Sequence, residues 1–165
     1  MPSIEIRHIF ISPEHGFIGQ QPEAARSHRM HEVAQVECVA GSGLRGDRFF
    51  DYKKDYKGQA TFFSADVFDQ ACQHVETSRA PAWAMRRNIM VAGLDLNELI
   101  GREFEISGVR FLGTEECAPC RWMDRAIGPG AREFLEGRAG LRTRILRGGT
   151  LRRGQQNLEL IDGTQ

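Results

Sequence analysis

Lysine is nearly missing from this 165-residue chain: it stands only at Lys53, Lys54 and Lys57, all in one turn-rich stretch. Schiff-base chemistry is left with few candidates, and the remaining basic side chains are arginines, whose planar fork grips phosphate or carboxylate through two parallel hydrogen bonds. Net charge is missing too. The 22 basic and 22 acidic side chains give a formal charge of +0, which supplies no overall field to gather nucleic acid or an anionic membrane. No apolar run approaches the ~20 residues of a membrane-spanning helix. The opening MPSIEIRHIF has no basic flank, long apolar segment or small-residue cleavage site. The four cysteines are therefore expected to be reduced thiols of a cytoplasmic protein, each to be explained singly, and not a disulfide framework. Repeats and low-complexity tracts are lacking, and residues 1–165 are expected to form a single domain with an ordinary core.

The patterns that are present read mostly as short strands. SIEIRHIFIS alternates Ile4, Ile6 and His8 against Glu5, Arg7 and Ile9, and HEVAQVECVA sets Ala34, Val36, Cys38 and Ala40 on one face. Between them PEHGFIGQQPEAARSHRM, from Pro13 to Met30, is rich in turn formers and reads as a long loop. QATFFS predicts a strand whose Ser64 caps a helix over ADVFDQACQHVE, with Asp66 in the first turn. Val67, Phe68, Ala71, Cys72 and Val75 form the apolar stripe of that helix, which makes Cys72 a core residue. From Asn88 onward NIMVAG, REFEIS, VRFLGTE, LRTRILRG and NLELID are short strands between turn signals. Two helical pieces interrupt them, one near Pro119 and one starting at Pro129 and ended by Gly137. Many short strands and few helices predict a mainly β, closed barrel with peripheral helices, because closure removes exposed edges.

TEECAPCRW, residues 114–122, carries the sharpest chemistry. Cys117 and Cys120 form a Cys-x-Pro-Cys that can be a redox dithiol, half of a metal site, or one working thiol beside a bystander. His28 and His31 offer a second pair for zinc, but in an order and at a separation that match no common finger. The thioredoxin-like reading is weak because 45 residues after Cys120 leave no room for the rest of that fold. The two thiols are unequal: Glu115 and Glu116 oppose a thiolate at Cys117, whereas Arg121 and a helix start favour one at Cys120, with Asp124 partly offsetting them if it faces the same way. GSGLRG matches Gly-x-Gly-x-x-Gly at Gly41, Gly43 and Gly46, yet no helical stripe follows, so it reads as a turn and not a dinucleotide site.

Taken together, GLRGDRFF at 43–50, RRNIMVAGLDLNELIGREFEISGVRFLGTEECAPC at 86–120 and RAGLRTRILRGGTLRRGQ at 138–155 resemble the MOSC family, named for the C-terminal domain of molybdenum-cofactor sulfurases. The likeness is strongest from about residue 40 to 155. It implies a β-barrel body and one family cysteine, mapping onto Cys120, that either carries a persulfide sulfur or ligates molybdenum held by a pterin. By the same likeness Arg87 and Asn88 match an Arg-Asn-Ile pattern and Arg45, Asp47 and Arg48 a Gly-Asp-Arg turn. These residues, with Arg121, are the expected walls of a molybdopterin pocket, and Arg45, Arg87 and Cys120 are expected to share one cleft. Cys117 has no such family role. Pyridoxal phosphate belongs to the desulfurase part of full-length sulfurases and is not expected here, so sulfur would come from a partner such as a cysteine desulfurase and pass to the molybdenum cofactor or a molybdoenzyme. The resemblance also implies an alternative, a molybdenum-dependent reductase of N-hydroxylated compounds that requires an electron donor. A Cys-x-x-Cys redox protein is a remoter one.

Overall fold

A computed structural model describes residues 2–13, 30–76 and 80–161; the loop expected between Pro13 and Met30, including His28, lies outside them. The strands are β1 (Ser3–Ile11), β2 (His31–Glu32), β3 (Gln35–Val39), β4 (Gly43–Leu44), β5 (Ala60–Ser64), β6 (Ile89–Ala92), β7 (Glu103–Ile106), β8 (Val109–Glu116), β9 (Leu141–Arg147), β10 (Gly149–Arg152) and β11 (Gly154–Ile161). The helices are α1 (Ala65–His74), α2 (Arg121–Ala126) and α3 (Ala131–Leu135), with short 3-10 turns at Ala82–Met85 and Leu96–Leu99. Seven strands close on themselves in the order β11-β7-β8-β9-β5-β6-β1, and β1 pairs back to β11, Ser3 opposite Asn157 and Ile6 opposite Gly154. The mainly β, closed-barrel expectation holds, with the three helices outside. A small second sheet, β10-β3-β4, adjoins the barrel.

Around the ring every pairing is antiparallel except β5 with β6, which run parallel with α1 as their crossover. This pair is covered on both faces, and its sequence shows it. Phe62, Ile89 and Val91 point into the barrel with Phe104 and Phe111, while Phe63, Met90 and Ala92 pack outward beneath α1, α2 and α3. A strand buried on both faces reads as a continuous apolar run, as IMVA does. Inside, Phe62 meets Phe104 and Phe111 edge-on at centroid distances of 5.9 and 5.2 Å. Each such ring contributes roughly 1.5–3 kcal/mol through burial.

Two local expectations are corrected. Alternation in β1 holds through Ile6, but the register with β6 shifts between Ile6 and His8, so Ile9 and not His8 enters the core. A bulge of this kind reverses the faces of everything after it. The second concerns α3, which starts after Gly130 and not at Pro129: Gly130, at φ 93°, is the N-cap, a backbone position that suits glycine. Ser64 caps α1 as expected, its hydroxyl accepting from the Val67 N–H at 3.2 Å. GSGLRG is a turn leading through β4 with no helix after it. Among the described residues no helix is long and apolar enough to cross a membrane.

Candidate functional site

A cavity of about 340 Å³ opens where four distant segments meet at one end of the barrel. The start of β6 brings Arg86, Arg87 and Asn88; the turn after β8 brings Cys117, Ala118 and Cys120; β9 brings Arg142; and the 48–58 loop brings Arg48, Phe49 and Tyr56. Strand pairing brings three of the four segments together. β5 lies between β6 and β9, and β9 between β5 and β8, so the ends of these strands share one rim.

Arg87 is buried and holds the cysteine loop in place. Its Nη2 donates to the Cys117 and Ala118 carbonyls at 2.9 and 3.0 Å, and its Nη1 donates to the Met85 carbonyl at 3.0 Å. Gly140 makes this packing possible. A Cβ there, at φ +139°, would stand 2.6 Å from the Phe62 carbonyl oxygen, 3.4 Å from Arg87 Nε and 3.6 Å from Cys117 Cβ. Asn88 is committed to structure: it donates to the Phe10 carbonyl and accepts from the Thr61 N–H and hydroxyl, each at 3.0 Å, tying β1, β5 and β6 together. Asp47 lies buried behind the cavity, accepting from the Ser12 N–H at 2.8 Å and the Phe49 N–H at 3.3 Å, and so fixes the loop that carries Arg48.

Three guanidinium nitrogens facing this region are buried with no hydrogen-bond partner among the described residues: Arg48 Nη1, Arg86 Nη1 and Arg87 Nε. Buried donors of this kind are costly unless something accepts from them. Burial lowers the pKa of Arg86 to about 10, with Arg48 and Arg87 adding repulsion and Cys120 opposing it. Arg48 is also lowered, first by burial, against the pull of Asp47 and Tyr56. Arg86 adopts the left-handed conformation at φ 58°, uncommon for a residue with a side chain, and its guanidinium lies 5.9 Å over the Trp122 ring. Trp122 is itself anchored through its Nε1, which donates to the Ala84 carbonyl at 2.7 Å. The cleft thus gathers four arginines with, among the described residues, only Asp47, beside Arg48, and Glu115, paired with Arg142, as near counter-charges, and Arg86 in a strained backbone, a set that fits an anion.

Both cysteines of CAPC line this space, one exposed and one not. Cys120 is exposed and stands at the N-cap of α2, while Cys117 is 7% exposed. The acidic neighbours expected to act on Cys117 have cationic or backbone partners of their own: Glu115 pairs with Lys57 at 3.0 Å and Arg142 at 3.6 Å, and Glu116 accepts from the Ala139 N–H. The charge that reaches the Cys117 sulfur is the Arg142 guanidinium, whose pKa is raised, despite burial, by Cys117, Tyr56 and Glu115. Asp124 turns away from Cys120 and accepts from the Arg132 N–H at 2.9 Å. Cys38 is buried, its thiol pushed up to about 12 by burial and Glu37, while Cys72, on α1, is only partly buried, at the edge of the outer core and not within it as expected. Among the described residues no group of three or more His, Cys, Asp or Glu side chains is placed to hold a metal.

The expected convergence of Arg87 and Cys120 is seen, and Arg48 and Asn88 join them. Arg45 does not. It is exposed, paired with Glu37 at 2.7 Å and placed over the Phe50 ring at 5.1 Å. Arg121 is exposed and lies outside the cavity lining, and the buried Asp47 is outside it too. Sequence reasoning passed over Arg86, Tyr56, Thr61 and Arg142. Only Arg86 had a visible signal, as the first member of the arginine pair before Asn88.

The MOSC domain profile matches residues 55–157, more than half of the chain. The chain belongs to the MOSC domain family. MOSC domains are associated with molybdenum-cofactor binding or sulfuration. The fold agrees with solved structures of low sequence identity. YuaD from Bacillus subtilis superposes with a TM-score of 0.75 at 15% identity, over 96% of this chain and 95% of that one. YiiM from Geobacillus stearothermophilus gives 0.69 at 15% identity, over 96% and 75%. YiiM from Escherichia coli gives 0.62 at 15% identity, over 99% and 71%. No curated protein matched by sequence. Within this MOSC domain the cleft joins all three segments that resemble the family: Arg48 from 43–50, the start of β6 and the CAPC loop from 86–120, and Arg142 from 138–155.

Proposed function

We propose that this MOSC protein binds the molybdenum cofactor in the arginine-lined cleft and uses Cys120 as the sulfur-carrying or molybdenum-ligating thiol. The observation that carries the reading is the set of three unpartnered guanidinium nitrogens on Arg48, Arg86 and Arg87 around a cavity with Cys120 at its open side. The donor set fits a cofactor that presents a phosphate and a flat hydrogen-bonding ring. Arg48 and Arg86 would hold the anionic group, and Phe49 and Tyr56, stacked at 5.4 Å, would wall the ring. When bound, that cofactor supplies a redox-active metal and a soft acceptor for sulfur. The protein offers Cys120 as its own soft ligand.

As a carrier, Cys120 works at the exposed rim. A persulfide donor, such as a cysteine desulfurase, presents its outer sulfur; the Cys120 thiolate attacks it, the donor's S–S bond breaks, and the donor leaves as a thiolate. The new persulfide then faces the arginines, whose charge favours its anion.

The test is analysis of molybdenum and pterin in protein purified from a host competent in cofactor synthesis, beside Cys120→Ser and an Arg48→Gln, Arg86→Gln double variant. Stoichiometric cofactor in the native protein, lost by more than about tenfold in the double variant, is expected. Equal retention in all three, or neither cofactor nor sulfur uptake in any, would overturn the reading. The loaded protein also separates carrier from enzyme. Turnover of an N-hydroxylated compound with a supplied electron donor assigns reduction, and sulfur transfer without turnover assigns carriage.

A further inference from the structure

Cys117 is the buried thiol of the cleft, and three features surround it that a filler residue does not need. It faces the same cavity as Cys120. The Arg142 guanidinium lies against its sulfur. Arg87, 7% exposed, has an Nε without a partner among the described residues, and that nitrogen and the Cys117 Cβ both flank the point where a Gly140 Cβ would stand, at 3.4 and 3.6 Å. A neutral thiol does not use the free Nε. An anion extended from Cys117 by one sulfur atom does. The loop geometry keeps the two cysteines on one wall: Arg87 clamps the Cys117 and Ala118 carbonyls, and Pro119 stiffens the only other link to Cys120.

We infer that Cys117 is a second sulfur acceptor, taking the outer sulfur from the Cys120 persulfide and holding it, shielded from solvent, between Arg142 and Arg87. The inference rests on Cys120 being loaded first, as proposed above. In the step the Cys117 thiolate attacks the outer sulfur of Cys120–S–SH. The Cys117–sulfur bond forms, the bond from that sulfur to Cys120 breaks, and Cys120 leaves as a thiolate that takes up, through solvent, the proton given up by the Cys117 thiol. No net oxidation occurs, so the relay needs no reductant. The division of labour follows from exposure. Cys120 is exposed to a bulky donor but also to solvent thiols that would strip the sulfur; Cys117 is buried and lines the cleft.

The experiment loads the reduced full-length protein with glutathione persulfide, alkylates it, and locates the added sulfur by fragmentation of the peptide that holds both cysteines. In the native protein most of the sulfur should be on Cys117 and should resist added glutathione about tenfold longer than in Cys117→Ser or Cys117→Ala, where it remains on Cys120. Cys120→Ser should load Cys117 at least about tenfold more slowly, because the donor cannot enter. Arg142→Gln should move the sulfur back toward Cys120. Sulfur found only on Cys120 in the native protein, with unchanged lifetime in the Cys117 variants, overturns the relay while leaving the Cys120 carrier role intact. A Cys117–Cys120 disulfide formed with release of sulfide also overturns it, in favour of a redox pair. Loss of loading at both thiols instead removes the carrier role itself.

Discussion

Arg86 concentrates the tension between stability and function in one side chain. Its pKa is held down to about 10, chiefly by burial and then by Arg48 and Arg87. A cation whose folded-state pKa lies below its unfolded value weakens folding at every pH below about 10, and the penalty fades only as pH rises from there toward the ordinary arginine range. Neutral conditions therefore carry the full cost. Replacing Arg86 by Gln should raise stability near pH 7 by on the order of 1 kcal/mol, a figure reduced from the raw shift because the side chain is partly exposed to screening solvent. If the cleft takes an anion as proposed, inorganic phosphate should stabilise the native protein increasingly with concentration, and the same change should abolish that effect. Thermal unfolding of both proteins, with and without phosphate, measures the two effects. A variant that is less stable and still responds to phosphate would show that Arg86 is a structural residue.

At the scale of elements, the parallel β5–α1–β6 unit presents the cleft residues, and its two ends answer to different forces. Ser64 caps α1 away from the cavity, so Ser64→Ala should cost about 1 kcal/mol, through the lost acceptor for the Val67 N–H, and leave phosphate stabilisation unchanged. Asn88 sits at the other end. Asn88→Ala strands the buried Phe10 carbonyl and removes the acceptor of the Thr61 N–H at the cavity wall, which should cost about 1–3 kcal/mol and loosen the rim that carries Arg86 and Arg87. Denaturant unfolding gives the energies, and phosphate titration gives the coupling. Equal effects of the two substitutions on phosphate response would deny Asn88 its positioning role.

Closure governs the molecule as a whole. β1 and β11 are the first and last strands of the chain's described part, and their pairing turns an open sheet with two edges into a ring. β11 also pairs with β7 from Glu103 to Ile106, and buries Leu158 in the barrel core. A chain shortened at Arg153 should expose the edges of β1 and β7 together with that core. It is expected to lose cooperative unfolding and to associate, as seen by calorimetry and size-exclusion chromatography. A monomer with an unchanged transition would mean that β11 adds little to the barrel.

The short-range physics of the chain was legible in its residues. Alternating apolar positions announced the strands of the barrel, Ser64 and Asp66 announced α1, and the arginine pair with Asn88, the Gly-Asp-Arg turn and CAPC pointed to the cleft through their family resemblance. Those signals depend on spacing within ten or so residues, which the covalent chain enforces. The tertiary structure decided what depends on neighbours from elsewhere. A bulge, formed against β6, set Ile9 inward in place of His8. In the Gly-Asp-Arg turn Asp47 is buried on the Ser12 N–H, Arg48 faces the cavity, and Arg45 pairs with Glu37 at the surface. Of two adjacent arginines, Arg87 gave three of its hydrogen bonds to backbone carbonyls while Arg86, in a left-handed turn, kept a buried nitrogen without one. Cys117, flanked by glutamates along the chain, met Arg142 in space because β8 and β9 are paired. Burial and charge at a site are sums over everything packed around it, and four segments that lie far apart in sequence supply those terms only once the barrel has closed.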